Sequence, residues 1–170
     1  MNFQTAIKTV FTKYADFKGV AARPEYWWWV LFSFLVGNLI NQLMRLTGEN
    51  DPNSAVGPVT MLSIVWSLGT FIPSLAVQVR RFHDAGFSGK WLLLWIVPVV
   101  GFIVVLVSSL PVIMMAVQGA YDDQQLINAI IGLAGAAALP IVGFIGLWIF
   151  TLVVMVRPSK SAAEGNKYAV

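Results

Sequence analysis

The residues best placed to do chemistry fall in two runs: Arg23-Pro24-Glu25, and Arg80-Arg81-Phe82-His83-Asp84 followed by Ser88-Gly89-Lys90. Guanidinium groups gathered at one depth bind phosphate oxygens through paired parallel hydrogen bonds, so Arg23, Arg80 and Arg81 compose a candidate anion site for a lipid headgroup or a soluble ligand. Glu25 is the natural partner for Arg80 or Arg81, because a carboxylate near a bilayer boundary is costly unless paired. Asp84 can accept from His83 or an arginine, or cap the turn before Ala85-Gly86. The simpler reading of the same six residues, Arg23, Glu25, Arg80, Arg81, His83 and Asp84, is an ion-pair staple and topology signal, and the sequence favours it. His83 and Asp84 as an acid and base would need a nucleophile, and no recognisable motif places one beside them.

These runs must be positioned by sequence that is mostly oily. Of 170 residues 58% are hydrophobic and 11% charged, which excludes an ordinary soluble domain carrying roughly a quarter charged residues. The absence of cysteine removes disulfides, thiol catalysis, iron–sulfur clusters and thiolate zinc sites. A single histidine rules out a multi-histidine metal site within one chain. No metal, cofactor or nucleic acid is therefore expected, and the net charge of +3 is better explained by where basic residues sit along a membrane.

Four uncharged stretches, 26–44, 52–79, 91–121 and 124–156, reach or approach the roughly 20 apolar residues that cross a hydrocarbon core of about 30 Å. The expected fold is all-α: a single polytopic membrane domain with four transmembrane helices at about 24–44, 59–79, 91–117 and 126–156, and a tail over 157–170. Pro24 suits the first turn of span one, with Glu25 beside it favourable to the positive end of the helix dipole. Tyr26 to Trp29 form an aromatic belt that anchors at the interface. Pro140 near the middle of the long fourth span predicts tilt or a kink.

Over residues 1–22, Phe3, Ile7, Val10, Phe11, Tyr14 and Phe17 recur at helical spacing, opposite Thr5, Thr9, Thr12 and Asp16. This is expected to be an amphipathic interfacial helix, apolar side toward the bilayer and lysines toward anionic headgroups. The alternative is that the aromatic stripe packs on the protein's own helices. No apolar region suited to a cleaved signal peptide precedes residue 26.

Lysine and arginine alternate strongly between segments. Lys8, Lys13, Lys18 and Arg23 precede span one; Arg80, Arg81 and Lys90 follow span two; Arg157, Lys160 and Lys167 follow span four. The other two connections hold Arg45 and none, so both termini are expected in the cytoplasm. Span four carries a small-residue stripe, Ala129, Gly132, Ala136, Pro140 and Gly143, suited to close helix contact within the chain or between copies. A short internal echo relates Pro98-Val-Val-Gly-Phe-Ile103 to Pro140-Ile-Val-Gly-Phe-Ile145.

The chain resembles the bacterial inner-membrane family called domain of unknown function 805. The resemblance lies in Phe17-Lys-Gly19 with Arg23-Pro-Glu25-Tyr26-Trp27, in Arg80-Arg81-Phe-His83-Asp84 with Ser88-Gly89-Lys-Trp91, and in Asn166-Lys-Tyr168. Val20 and Ala22 stand where arginines are expected in that family, Lys90 replaces a tryptophan, and Ala169 replaces a glycine. The stretch from about Ser108 to Val156 departs from compact members. The resemblance implies a bacterial inner-membrane protein and brings no mechanism with it.

The expected function is that of a small, non-enzymatic inner-membrane protein presenting the six-residue cluster to membrane lipids, a protein partner or a second copy. The alternative is a transporter or channel subunit for a small solute; the absence of charged groups inside the spans counts against a proton-coupled carrier or pump, though not against a passive pore or an oligomeric channel. A third reading, an enzyme acting on a lipid or isoprenoid headgroup, needs His83 and Asp84 to face a cavity.

Overall fold

The computed structural model describes residues 1–51 and 54–169, and all of its regular elements are helical. They are α1 (Phe3–Thr12), α2 (Arg23–Leu46), α3 (Pro58–Asp84), α4 (Ile96–Val117) and α5 (Asp123–Val156), with tight 3₁₀ turns at Gly89–Trp95 and Ala162–Glu164. Four helices among the described residues are long and apolar enough to cross a membrane: Arg23–Leu46, Pro58–Asp84, Gly89–Val117 and Asp123–Val156. The chain groups into two compact units, one of residues 1–89 with 155–170 and one of residues 90–154.

In the first unit α1 begins at Asn2, whose side-chain oxygen accepts from the Thr5 N–H at 2.8 Å and so satisfies an orphan donor of the first turn. The helix is shorter than the amphipathic pattern over 1–22 implies. After Thr12 the chain turns, with the Asp16 N–H on the Lys13 carbonyl at 3.2 Å; Asp16 then accepts from the Lys18 N–H at 3.0 Å, and Gly19 adopts φ +73°. Ala6 and Val10 are buried, and Phe3 and Phe11 set their edges against Trp28, Trp29 and Phe32 of α2. The inner side of the aromatic stripe thus packs on the protein's own helices, while Phe3, Phe11, Tyr14 and Phe17 stay exposed.

A small core of Val10, Ala21, Trp29 and Val77 joins α1, the linker, α2 and α3, and Trp29 Nε1 donates to Ser74 Oγ at 3.0 Å. Pro73 lies within α3 and has no N–H to give to the carbonyl four residues earlier, that of Gly69. Tyr14 supplies the missing donor: its hydroxyl reaches the Gly69 carbonyl at 2.7 Å. The opposite end of α3 is capped by Glu49, which accepts from the N–H groups of Val59 at 3.3 Å and Thr60 at 2.6 Å and from the Thr60 hydroxyl at 2.9 Å. Any Cβ at Gly57 would collide with that carboxylate. Partial desolvation works to raise the Glu49 pKa, but the hydrogen bonds from Thr60, Val59 and Thr47 outweigh it and hold the carboxyl below the ordinary glutamate value.

In the second unit the third span opens as a 3₁₀ turn over Gly89–Trp95 and becomes α-helical at Ile96. Pro98 explains the change, because it lacks the N–H that would bond the Leu94 carbonyl in an α-helix and its ring crowds that carbonyl. The internal echo meets itself here. A Cβ on Gly101 would lie 3.0 Å from the Pro140 Cβ, and one on Gly143 would lie 3.9 Å from the Pro98 Cβ. Each Pro-x-x-Gly segment therefore sets its proline against the other's glycine, so this part of the small-residue stripe is an intrachain contact. Gly132 meets nothing within 4 Å. Trp95 packs edge-on against Phe144 at 5.0 Å, and its indole N–H lies 3.4 Å from Thr151 Oγ1.

Candidate functional site

The site is built on the end of α3. The last four carbonyls of any helix lack helical donors, and here each has a partner. Ala85 N–H bonds Arg81 O, Gly86 N–H bonds His83 O, and Phe87 N–H reaches back to Phe82 O, while Gly86 adopts φ +82°. This is the glycine-dependent Schellman stop, and it accounts for Gly86 after His83-Asp84. The fourth carbonyl, that of Asp84, accepts from Lys160 N–H at 2.8 Å. Asn166 adds a second donor to His83 O at 2.9 Å, and Ala21 N–H bonds Arg80 O at 3.0 Å.

Side chains draw the same segments together. Arg80 Nη1 donates to Glu25 Oε1 at 2.7 Å, with both side chains buried. Its Nε and Nη2 have no hydrogen-bond partner among the described residues. Arg81 pairs with the Asp84 carboxylate and donates to the carbonyls of Met155, at 3.2 Å from Nε and 3.0 Å from Nη2, and of Arg157. The C-terminal turn of α5 holds no basic residue of its own, so Arg81 provides both the donors and the positive charge favoured at that dipole end. Asp84 also accepts from Ser159 Oγ at 2.6 Å.

His83 is held differently. Its Nδ1 lies 3.1 Å from the Gly19 carbonyl, which can only accept, so this nitrogen carries the proton. Its ring stacks on Tyr168 with centroids 3.9 Å apart and planes 7° from parallel. A Cβ at Gly89 would lie 2.6 Å from Val79 Cγ1 and 3.4 Å from His83 Nε2, which explains glycine at that place in the second motif. Asn166 is buried, donating to the carbonyls of His83 and Lys160 and accepting from Tyr168 N–H at 3.0 Å.

Five of the six residues singled out in the sequence, Glu25, Arg80, Arg81, His83 and Asp84, therefore meet in one clasp that gathers the linker, α2, α3 and the tail. Arg23 stands apart. It is exposed, and its side chain has no ion pair or hydrogen bond among the described residues. His83 and Asp84 share no hydrogen bond among the described residues, because each is taken by other partners. Sequence reasoning missed Ser159 and the backbone of Met155 and Arg157 as members. Carbonyl acceptors leave no trace in residue type, and the only tail signal was the Asn166-Lys-Tyr168 motif.

Beside the clasp runs a groove of about 760 Å³, lined by Arg23, Pro24, Trp27, Trp28 and Leu31 of α2 together with Met1 and Val156. Arg23 is the one charged side chain in that lining.

Four helices able to cross a bilayer, with buried ion pairs closing the end of one of them, define a multi-pass helical membrane protein. The chain belongs to the family described as "Protein of unknown function (DUF805)", which its residues 14–125 match. It is 39% identical over 99 residues to the inner membrane protein YhaI of Escherichia coli K12, a match covering 58% of this chain and 77% of the relative. It is 31% identical over 100 residues to the inner membrane protein YhaH of the same strain, covering 59% and 79%. The uncharacterized protein YiiR of that strain is 35% identical over 82 residues, covering 48% of this chain and 50% of the relative. No solved structure matches the chain.

Proposed function

We propose that this protein is a non-enzymatic structural protein of the bacterial inner membrane, with both termini in the cytoplasm. Its clasp fixes the cytoplasmic end of the first unit, and its exposed cations meet anionic headgroups. The division of labour among cations carries this reading. Arg80 and Arg81 are buried against Glu25, Asp84 and backbone carbonyls, while Lys8, Lys13, Lys18, Arg23, Arg157 and Lys160 are exposed. Each cation near an anionic leaflet contributes about 1 kcal/mol of attraction. The lysine and arginine asymmetry supports the orientation. The occupation of His83 and Asp84 by structural partners supports the non-enzymatic part.

The chain contains no cysteine, so single thiols can be introduced into a silent background. In intact cells with a permeabilised outer membrane, a membrane-impermeant maleimide should label Asn50→Cys and Ala120→Cys. It should label Asn2→Cys and Ala163→Cys only after the inner membrane is broken. Labelling of either terminal position in intact cells refutes the orientation and, with it, the cytoplasmic headgroup role.

A further inference from the structure

Resting on that reading, we propose that the groove along the first turns of α2 is a binding site for one anionic phospholipid, with Arg23 as the anchor for its phosphate. Arg23, Pro24, Trp27, Trp28 and Leu31 recur every three or four residues, so they share one face of α2. The eight helical steps from Arg23 to Leu31 span about 12 Å. One end of this strip is a guanidinium, and the rest is aromatic or aliphatic. That is the complement of an amphiphile with an anionic head and an acyl chain. The volume, about 760 Å³, lies in the range of roughly 300 to 1,000 Å³ common to small-molecule sites.

The charge pattern selects among amphiphiles. Glu25, the carboxylate nearest to Arg23 in sequence, is committed to Arg80, and Arg23 itself has no partner among the described residues. The groove lining contributes no carboxylate to receive the ammonium of a zwitterionic headgroup. A planar guanidinium offers two parallel donors to a phosphate, and tryptophans are at home at headgroup depth. A free inorganic phosphate would leave the apolar length below Arg23 unused.

The test is native mass spectrometry of the purified full chain in detergent, titrated with phosphatidylglycerol or with phosphatidylcholine of the same acyl composition. The wild type should bind its first phosphatidylglycerol about fivefold more tightly than phosphatidylcholine, the value of one cation near an anionic headgroup. Arg23→Gln should remove that preference while unfolding at the wild-type temperature, because the side chain makes no bond to lose. Leu31→Trp, which fills the groove and keeps the charge, should weaken both lipids. Arg45→Gln, exposed at the far end of α2, should leave the preference intact. A preference that survives Arg23→Gln, or that falls as much with Arg45→Gln, overturns this site and leaves the headgroup reading standing. A wild type with no preference overturns both.

Discussion

Replacing Arg81 by methionine keeps most of the aliphatic stem and deletes the guanidinium, so it isolates what the clasp contributes. The lost contacts are the ion pair to Asp84 and the donors to the carbonyls of Met155 and Arg157, all around a side chain with 0% exposure. Removing one member of a buried pair costs about 3–5 kcal/mol, because the other charge stays behind without compensation. For a chain of this length about 1 kcal/mol moves a thermal midpoint by roughly 2–4 °C, so a fall of about 10 °C is expected in detergent micelles at neutral pH. Asp84→Leu should cost less, about 1–3 kcal/mol, because Arg81 keeps its two carbonyl acceptors. The double variant should be less damaged than the sum of the two by about 0.5–3 kcal/mol, since no orphan charge remains. Arg81→Lys, which keeps the charge and loses the fork, should fall between wild type and Arg81→Met. Amide exchange at Lys160 and Asn166 should quicken in Arg81→Met. A midpoint within 1 °C of wild type, or strict additivity with Asp84→Leu, would show that the guanidinium is not held by these partners.

Tyr14→Phe should cost about 1 kcal/mol in the wild-type chain and almost nothing in a Pro73→Ala background, where residue 73 can return a helical N–H to the Gly69 carbonyl; equal effects in both backgrounds would sever that link. Gly143→Ala should be neutral or stabilising by up to about 1 kcal/mol, because its Cβ meets Pro98 at an ordinary 3.9 Å and alanine favours helix. Gly101→Ala should melt below Gly143→Ala, since at 3.0 Å the Pro140 ring must give way. Glu49 has a folded pKa below its unfolded value, so its stabilisation is present above the ordinary glutamate pKa and is lost as pH falls through the lowered one. A carboxyl ¹³C titration should show that lowered midpoint moving up toward the ordinary value in Thr60→Val.

The helical class was legible because charge is so unevenly spread: no Asp, Glu, Lys, Arg or His lies in 26–44, 52–79, 91–121 or 124–156. Glu25 was legible as an arginine's partner because burial near a membrane boundary demands one, and the partner is Arg80. The length of the first helix was not legible from periodicity alone. Its aromatic repeat runs on to Phe17, but the helix ends at Thr12, where Lys13 leaves helical geometry and the Asp16 N–H turns back onto the Lys13 carbonyl. The tail was the least legible part. Polar residues such as Ser159 and Asn166 look like solvated chain until the orphan carbonyls and carboxylate of α3 are there to hold them.

Helix geometry explains why adjacent arginines serve a clasp better than an anion site. At 3.6 residues per turn, consecutive side chains leave the axis about 100° apart, so Arg80 and Arg81 start from different faces of the helix end. They point to different neighbours. Arg80 faces Glu25 at the start of α2, and Arg81 faces the carbonyls that end α5. Asp84, three residues beyond Arg81, lies on the same face as Arg81 and is its partner, whereas Glu25 must come from another helix for Arg80. Two adjacent cations thereby grip two separate segments, and the Schellman stop at Gly86 brings the tail close enough for Ser159 and Lys160 to complete the grip. The Arg81 guanidinium is spent in this way on Asp84 and two carbonyls, and the Nε and Nη2 that Arg80 leaves without partners among the described residues are buried with its side chain. Arg23, separated from Glu25 by a proline that fixes the first turn of α2, is the one of the three arginines that the clasp leaves exposed, which is what the proposed phosphate anchor requires.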